Sequence, residues 1–370
     1  MIWIETQEAF DAAMRRVARQ SIVAMDTEAD SLHSYFDKVC LIQISIPGED
    51  LIIDPLRNLD LSAFGAVLAN ERITKVLHGG DYDLRILNRD FQFTAANLID
   101  TMICAQLLGY EAIGLAALLE RYFAITVDKA HQRADWAMRP LPRVMLEYAA
   151  TDTRHLAALA QKMRDELVAV GRWDWAQEEF ARLATIRFTG KEEDGEGFRR
   201  LKGISSFDRR SLAIARSLYD WRDGMARAAD RPPFKIFGND LIVEVARAKP
   251  GDAEALAQIK GLSPAHRKRY AREIMRKVGD ALALAEEMLP EKSDARPWLR
   301  DKALESRVSK LKDVRDKKAK ELKLDPGILA PRHVLTAIAT TGDLNQVPAM
   351  RDWQKKLLGD DLLKVLRPAS

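Results

Sequence analysis

Apolar residues follow two different rhythms along this chain. In the first half, short runs of aliphatic and β-branched residues recur: SIVAMD (21–26), VCLIQISI (39–46), DLIIDP (50–55) and ITKVLHG (73–79). Runs of this length bounded by polar, Gly or Pro residues predict strands. Around them, 6–19, 60–69, 81–90 and 100–109 repeat apolar positions every three to four residues and predict helices; from about 142 to 187 the pattern is helical throughout. Strands gathered early with helices around them predict an α/β domain with a mixed sheet. TGKEEDGEG (189–197) breaks the periodicity with glycines and charges and reads as a linker. Beyond it the pattern is helical: 207–233 up to paired prolines, 239–250 from a helix-starting Asn to a terminating Pro, 264–289, and about 298–367. The blocks 205–290 and 295–370 match in length and pattern and predict two small helical bundles, although their identity is too weak to make them a repeat.

Composition narrows the class. With 370 residues, 47% of them hydrophobic, the chain has enough material for two or three cored domains. No run approaches the ~18 consecutive apolar residues of a membrane span, so no membrane partner is expected. The start MIWIETQEAF has neither a basic nor an apolar leader segment, and Cys40 and Cys104 sit in apolar stretches without CxxC spacing. Both point to a reducing, cytoplasmic setting with buried thiols. Charge is unevenly shared: residues 1–190 carry 20 Lys and Arg against 27 Asp and Glu, the remainder 38 against 28. An acidic half suited to cations joined to a basic half suited to a polyanion is one reading; ordinary variation between domains is the other.

Three groups of carboxylates could carry chemistry. Asp26 and Glu28 end an apolar strand, and alternation puts positions i and i+2 on one face. Two acids side by side repel each other, which invites a shared cation, though a solvated strand end gives the same letters. Asp81 and Asp83 lie where HGGDYDLRIL (78–87) turns from strand to helix, a place where Asp also caps or opposes the helix dipole. Tyr148 and Asp152, four apart in LEYAATDTRHL (146–156), share one face of a helix. An Asp inside a helix is unfavourable by propensity and needs a partner.

In this order the groups resemble the DEDDy exonucleases, the tyrosine-bearing branch of the DnaQ-like 3′→5′ exonuclease superfamily. Asp26 and Glu28 match its first motif, Asp83 its second, with Asp81 a neighbour, and Tyr148 with Asp152 its third. Glu147 stands where the histidine branch has its His. CLIQISIPGEDLIIDPL (40–56), ITKVLHGGDYDLRIL (73–87), LIDTMICAQLLGY (98–110) and RADWAMRPL to YAATD (133–152) are similar to ribonuclease D segments in the same order. Block 205–290 looks like an HRDC domain, a helical nucleic-acid-binding module. The resemblance implies an α/β, ribonuclease H-like exonuclease domain at 1–188, a linker at 189–204, an all-α HRDC domain at 205–290 and a second HRDC-like domain at 291–370.

The resemblance also implies a chemistry. Asp26, Glu28, Asp83 and Asp152 would hold two divalent ions, Mg²⁺ or Mn²⁺, for phosphodiester hydrolysis; hard cations take oxygen ligands. Asp26 would bridge both ions, Glu28 and Asp152 would complete the nucleophile side, and Asp83 would hold the second ion through water. Tyr148 would orient the attacking water, because a phenol with a pKa of about 10 is a poor base at neutral pH. The expected partner is RNA with a 3′ end, tRNA precursors foremost, acted on by a monomer that releases nucleoside 5′-monophosphates. A DNA 3′→5′ exonuclease and a non-catalytic RNA-binding protein are the alternatives; without GxxxxGK[ST], ATP-driven unwinding is not expected. His33, Tyr35 and Phe36 in SLHSYF could stack a terminal base or simply pack their loop, and His78 reads as strand-end packing. Arg133, Trp136 and Arg139 could touch phosphates or pin their loop. The basic stretches 260–277 and 310–323 would grip RNA without sequence specificity, or form solvated helix faces.

Overall fold

The computed structural model describes residues 1–128, 130–190, 195–292 and 301–366. They form two compact units by contact: one holds 1–29, 38–188 and the C-terminal helices, the other holds 30–37 and the helical segment after 188. The domain limits read from the sequence follow chain order; this division follows packing. Linker residues 191–194 and the segment 293–300 lie outside the described residues.

The first unit runs β1 (Ile2–Ile4), α1 (Gln7–Val17), β2 (Ile22–Ala29), β3 (Val39–Ile46), β4 (Glu49–Ile53), α2 (Ser62–Ala69), β5 (Thr74–Leu77), α3 (Asp81–Phe91), β6 (Leu98–Asp100), α4 (Thr101–Leu108), α5 (Leu115–Phe123), α6 (Arg143–Arg154), α7 (Leu156–Ala169) and α8 (Trp173–Ala184). The sheet order is β1-β4-β3-β2-β5-β6. β3 pairs antiparallel with both β2 and β4, while the β1–β4, β2–β5 and β5–β6 pairs are parallel. This is the mixed sheet expected. β3 is buried along its whole length, which its unbroken apolar run requires of a central strand covered on both faces. Met25, Ile42, Ile44 and Ile53 feed a core with Phe10, Phe64 and Met163. Leu41 and Ile52 point the other way, into a cluster with Trp136, Met145, Ala149 and Ala150 under α6. Burying each such side chain contributes roughly 1.5–3 kcal/mol. Three elements escaped the periodicity: β1 and β6, three residues each, and α5.

The second unit consists of α9 (Arg209–Ala228), α10 (Pro233–Ile236), α11 (Asn239–Ala248), α12 (Ala253–Ala257) and α13 (Pro264–Leu282) around Leu218, Trp221, Phe237, Ile242 and Ile274. Asp208 caps α9 through Ser211 N, and Ser263 caps α13 ahead of a Pro that suits the first helical turn.

The C-terminal helices are α14 (Lys302–Leu322), α15 (Pro326–Leu329), α16 (Arg332–Thr341) and α17 (Asp352–Leu366). Leu311, Leu335, Ile338 and Leu358 join the core of the first unit. Trp353 stacks on Trp175 at 4.6 Å and 13°, and its indole N–H donates to Glu179 at 3.0 Å. Arg172 donates to the Leu107 and Leu322 carbonyls at 2.7 and 2.8 Å. Gly109 lies so close to the Lys323 carbonyl that a Cβ there would collide with its oxygen. Among the described residues, no helix is long and apolar enough to cross a membrane.

Candidate active site

The site begins with pairing register. β2 aligns Asp26 with Gln43 and Glu28 with Leu41, and the ladder shifts between Glu28 and Ala29. Both carboxylates therefore face α6, which packs over β2, β3 and β4. α6 carries Tyr148 and Asp152 one turn apart on the side turned to them. The outcome is convergence: one carboxylate oxygen each from Asp26, Glu28 and Asp152 lies within 4.8 Å of the others.

Asp83 is held differently. It is buried in the first turn of α3, and its carboxylate accepts a short hydrogen bond from the Thr27 hydroxyl. Thr27 lies between Asp26 and Glu28 and so points to the opposite face of β2. Asp83 is consequently outside the converging three, yet after burial its charge helps to raise Asp26. Asp81 is exposed and ion-paired with Arg85 at 2.7 Å, a surface role that separates it from Asp83.

A cavity of about 490 Å³ opens beside the cluster, lined by Asp26, Glu28, Tyr148, Asp152, His78 and Gln132 among others. The start of α5, Gly114 to Ala117, lines it too. Asp128 and Gln132 were not anticipated: they sit in a stretch without periodicity, where pattern carries no signal. His78 hydrogen-bonds Thr101 at 2.9 Å through Nδ1, the packing role expected of it, although it also lines the cavity. Asp100 organises the turn ahead of α3. Its carboxylate accepts from Gly79 N and Gly80 N at 3.0 and 2.8 Å and caps α4 through Met102 N and Ile103 N. Gly79 adopts φ +70°, which suits glycine.

The electrostatics are those of crowded acids. Burial, then the charges of Asp152 and Asp83, pushes Glu28 up to about 9. Burial raises Asp152 to about 7 against a counteracting hydrogen bond from Tyr148. Asp83 rises to about 6 by burial despite Thr27, and Asp26 is raised well above the carboxylate range by burial and three acidic neighbours. Tyr148 is pushed upward by burial and the same acids, so its phenol keeps its proton. Carboxylates that cannot ionise together unaided are a donor set suited to a hard divalent cation. Gln43, opposite Asp26, is fully buried with both amide atoms lacking a partner among the described residues.

The approach to α6 is pinned from below. Arg139 makes a two-pronged pair with the buried Asp54 carboxylate at 2.7 Å per arm and donates to the Cys40, Trp136 and Met138 carbonyls. Trp136 is fully buried with its ring 6.1 Å from that of Tyr148. Arg139 and Trp136 thus hold the loop that backs Tyr148, the second of the two roles the sequence allowed them.

Comparison with known proteins agrees with this geometry. Residues 1–168 match the family model of a 3′-5′ exonuclease, and 211–278 match that of the HRDC domain. The chain is 30% identical to ribonuclease D of Acidiphilium cryptum, over 98% of this chain and 92% of that protein. The crystal structure of Escherichia coli RNase D, described as an exoribonuclease involved in structured RNA processing, superposes with a TM-score of 0.73 at 28% identity, covering 99% and 98% of the two chains. A protein from Bifidobacterium adolescentis superposes with a TM-score of 0.83 at 26% identity over 99% and 97%. With an exonuclease fold, an HRDC domain and near full-length likeness in one chain, it belongs to the ribonuclease D family of 3′→5′ exoribonucleases.

Proposed function

We propose that the protein releases nucleoside 5′-monophosphates one at a time from RNA 3′ ends by two-metal hydrolysis, with tRNA precursors as its foremost substrates, working as a cytoplasmic monomer. The observation that carries this reading is the convergence of Asp26, Glu28 and Asp152 beside a cavity wide enough for a terminal nucleotide. Those three would hold the nucleophile-side ion, and Asp26 and Asp83 would hold the second. Divalent ions bound there would lower the pKa of a water and stabilise charge on the attacking and leaving oxygens. Tyr148, kept protonated, donates hydrogen bonds and orients water without accepting its proton. Gln132, which bonds Tyr148, and Trp136 fix where that hydroxyl points. Cys40 and Cys104, both buried and neither in a disulfide, suit a reducing cytoplasm.

We also read the chain as the exonuclease domain 1–188, linker 189–204, HRDC domain 205–290 and a second HRDC-like domain 291–370. Support for the last comes from a shared plan in the two helical segments. Each runs from a long helix through a four-residue helix led by Pro to a ten-residue helix and then, past a short helical turn, to a final long one. In each, a buried Arg of the first helix donates to the carbonyl fifteen residues on: Arg222 to Phe237 O at 3.2 Å, and Arg315 to Ala330 O at 2.9 Å.

The test is a gel assay on matched 5′-labelled single-stranded RNA and DNA, with Mg²⁺, Mn²⁺ or EDTA. A ladder shortening from the RNA 3′ end, abolished by EDTA and by Asp152→Ala, is the expected result. Trimming of DNA as fast as RNA would replace this reading with a DNA exonuclease. Salt-sensitive RNA binding without cleavage would leave only an RNA-binding protein. Light scattering at assay concentration checks the monomer.

A further inference from the structure

Segment 30–37 leaves β2 two residues after Glu28, yet it packs with the helical unit. The grip is specific. One oxygen of the Asp230 carboxylate accepts from Ser34 Oγ at 2.7 Å, Tyr35 N at 2.9 Å and Phe36 N at 3.0 Å. Asp230 sits just past α9 with φ +43°, a left-handed conformation that Asp tolerates better than most residues. The Tyr35 hydroxyl donates to Asp223 at 2.8 Å, and Arg227 lies 5.6 Å from the Tyr35 ring centroid. Tyr35 is thereby committed to packing against the unit's core.

Phe36 is not. Its backbone is fixed and its ring stands edge-on to Tyr35 at 4.9 Å, but 57% of the residue is exposed. Lys235 approaches His33 Nδ1 at 3.4 Å, bringing the short helix α10 against the same segment, and its neighbour Phe234 is also 57% exposed. Two phenyl rings held out from a rigid backbone gain little from folding. The cations Arg231 and Lys235, near Phe234 in sequence, are exposed as well. Rigid exposed rings flanked by cations are the elements of single-strand recognition: every base offers a π-face, and the cations meet the backbone.

We propose that Phe36 and Phe234 form a stacking platform for unpaired bases of an RNA strand, with Arg231 and Lys235 for its phosphates. This rests on the RNA-substrate reading above. The interspersed cations favour a nucleic acid over a protein ligand, whose docking face would be more continuously apolar.

The test is fluorescence anisotropy of the full chain with a labelled RNA carrying a single-stranded 3′ tail, in EDTA so that binding is read without cleavage. Phe36→Ala and Phe234→Ala are each expected to weaken binding about tenfold, the scale of one lost base stack. Phe36→Trp is expected to restore it. A tail of abasic nucleotides is expected to bind the wild type as weakly as the Ala variants, erasing the difference between them. At saturating RNA with Mg²⁺, kcat should be unchanged while KM rises. Wild-type affinity in both Ala variants would overturn the platform, and so would a loss that persists undiminished on the abasic tail. If the wild type binds in this pattern but never shortens RNA, the platform stands and the enzymatic reading falls. Because both side chains are exposed, the variants should keep the wild-type circular dichroism melt. Phe36→Leu, which keeps bulk without an extended π-face, should bind as weakly as Phe36→Ala; full affinity in it would also count against stacking.

Discussion

The two helical segments share a skeleton and use it in opposite ways. α9 to α13 close their own core: Trp221 packs edge-on against Phe237 and Tyr270, at 5.7 and 5.4 Å. α14 to α17 do not. Trp353 leaves its bundle to stack on Trp175 of α8, and Glu178 and Glu179 of α8 accept from Asp352 N, Trp353 N, the Trp353 indole and Arg351. The first bundle is a unit in its own right, and the second is a buttress of the exonuclease. Segments with a similar order of helices can differ in this way because function and cohesion reside in surface side chains, while the skeleton needs only its apolar spacing and caps.

The sharpest way to break this comparison is to remove each tryptophan. Trp→Ala in a well-packed site costs about 3–5 kcal/mol. Trp353→Ala should lower the melting transition of the exonuclease unit and its activity on short RNA together. Trp221→Ala should lower only the transition of the α9–α13 unit and spare turnover on short RNA. Scanning calorimetry beside the gel assay separates them, and an unmoved exonuclease transition in Trp353→Ala would make the second bundle an independent domain.

Metal and pH sharpen it next. An ion present at a hundred times its Kd stabilises the unit that binds it by about 2.7 kcal/mol. Amide exchange should therefore slow in α17 as well as in β2 on adding Mg²⁺, and stay unchanged in α9. In EDTA the sign reverses with pH. Glu28, at about 9, and Asp152, at about 7, are raised above the ordinary carboxylate range. Folding thus favours their protonated forms, a contribution complete below about pH 4 and lost as pH climbs through those values. The metal-free exonuclease unit, second bundle included, should lose stability from pH 5 to 8, and Glu28→Gln should flatten that loss. A metal-free unit whose stability holds level across that range would count against the crowding of the carboxylates.

The two buried arginines probe the skeleton itself. Phe237 and Ala330, whose carbonyls they serve, are both fully buried, so neither carbonyl has ready access to water. Replacing either with Met strands its carbonyl, at about 1–3 kcal/mol. Arg315→Met should register in the exonuclease transition and Arg222→Met in the other. If both variants shift the same transition, the two arginines do not have matched roles.

How much of this was legible in the letters depended on range. The shared face of Asp26 and Glu28 follows from alternation, and that of Tyr148 and Asp152 from helical spacing; both are local. Asp83 over Asp81 is a question of burial, which the first turn of a helix does not reveal. β1 and β6 hold three residues each and exist because β4 and β5 offer edges, a long-range fact. Gln132 stands in a stretch without period. The likeness of the bundles hides because few side chains fix it: an Arg, a Pro-led turn eleven residues later, and apolar spacing. The attachment of the second bundle to α8 hides too, since Trp353 reads as an ordinary amphipathic position.

The smallest expected effect concerns RNA. Both bundles are rich in Lys and Arg, and in each some of the cations are already paired within their own helix. In α13, Lys268 and Arg272 are exposed, whereas Arg276 is shared between Glu273 and Asp280, the latter at 2.9 Å. In α14, Lys312 is tied to Asp316 at 2.9 Å and Lys318 to Glu321 at 3.0 Å. A cation already paired within its own helix releases fewer counterions from a nucleic acid, because part of its charge is spent on the acid. Each phosphate contact on a single strand contributes about 0.7 to the slope of log K against log salt. Lys268→Gln with Arg272→Gln should therefore flatten the slope by up to about 1.4, with kcat at saturating RNA unchanged. Lys312→Gln with Lys318→Gln should leave the slope near its wild-type value. The reverse ranking in a salt titration would mean that pairing within a helix does not decide which cations the RNA uses.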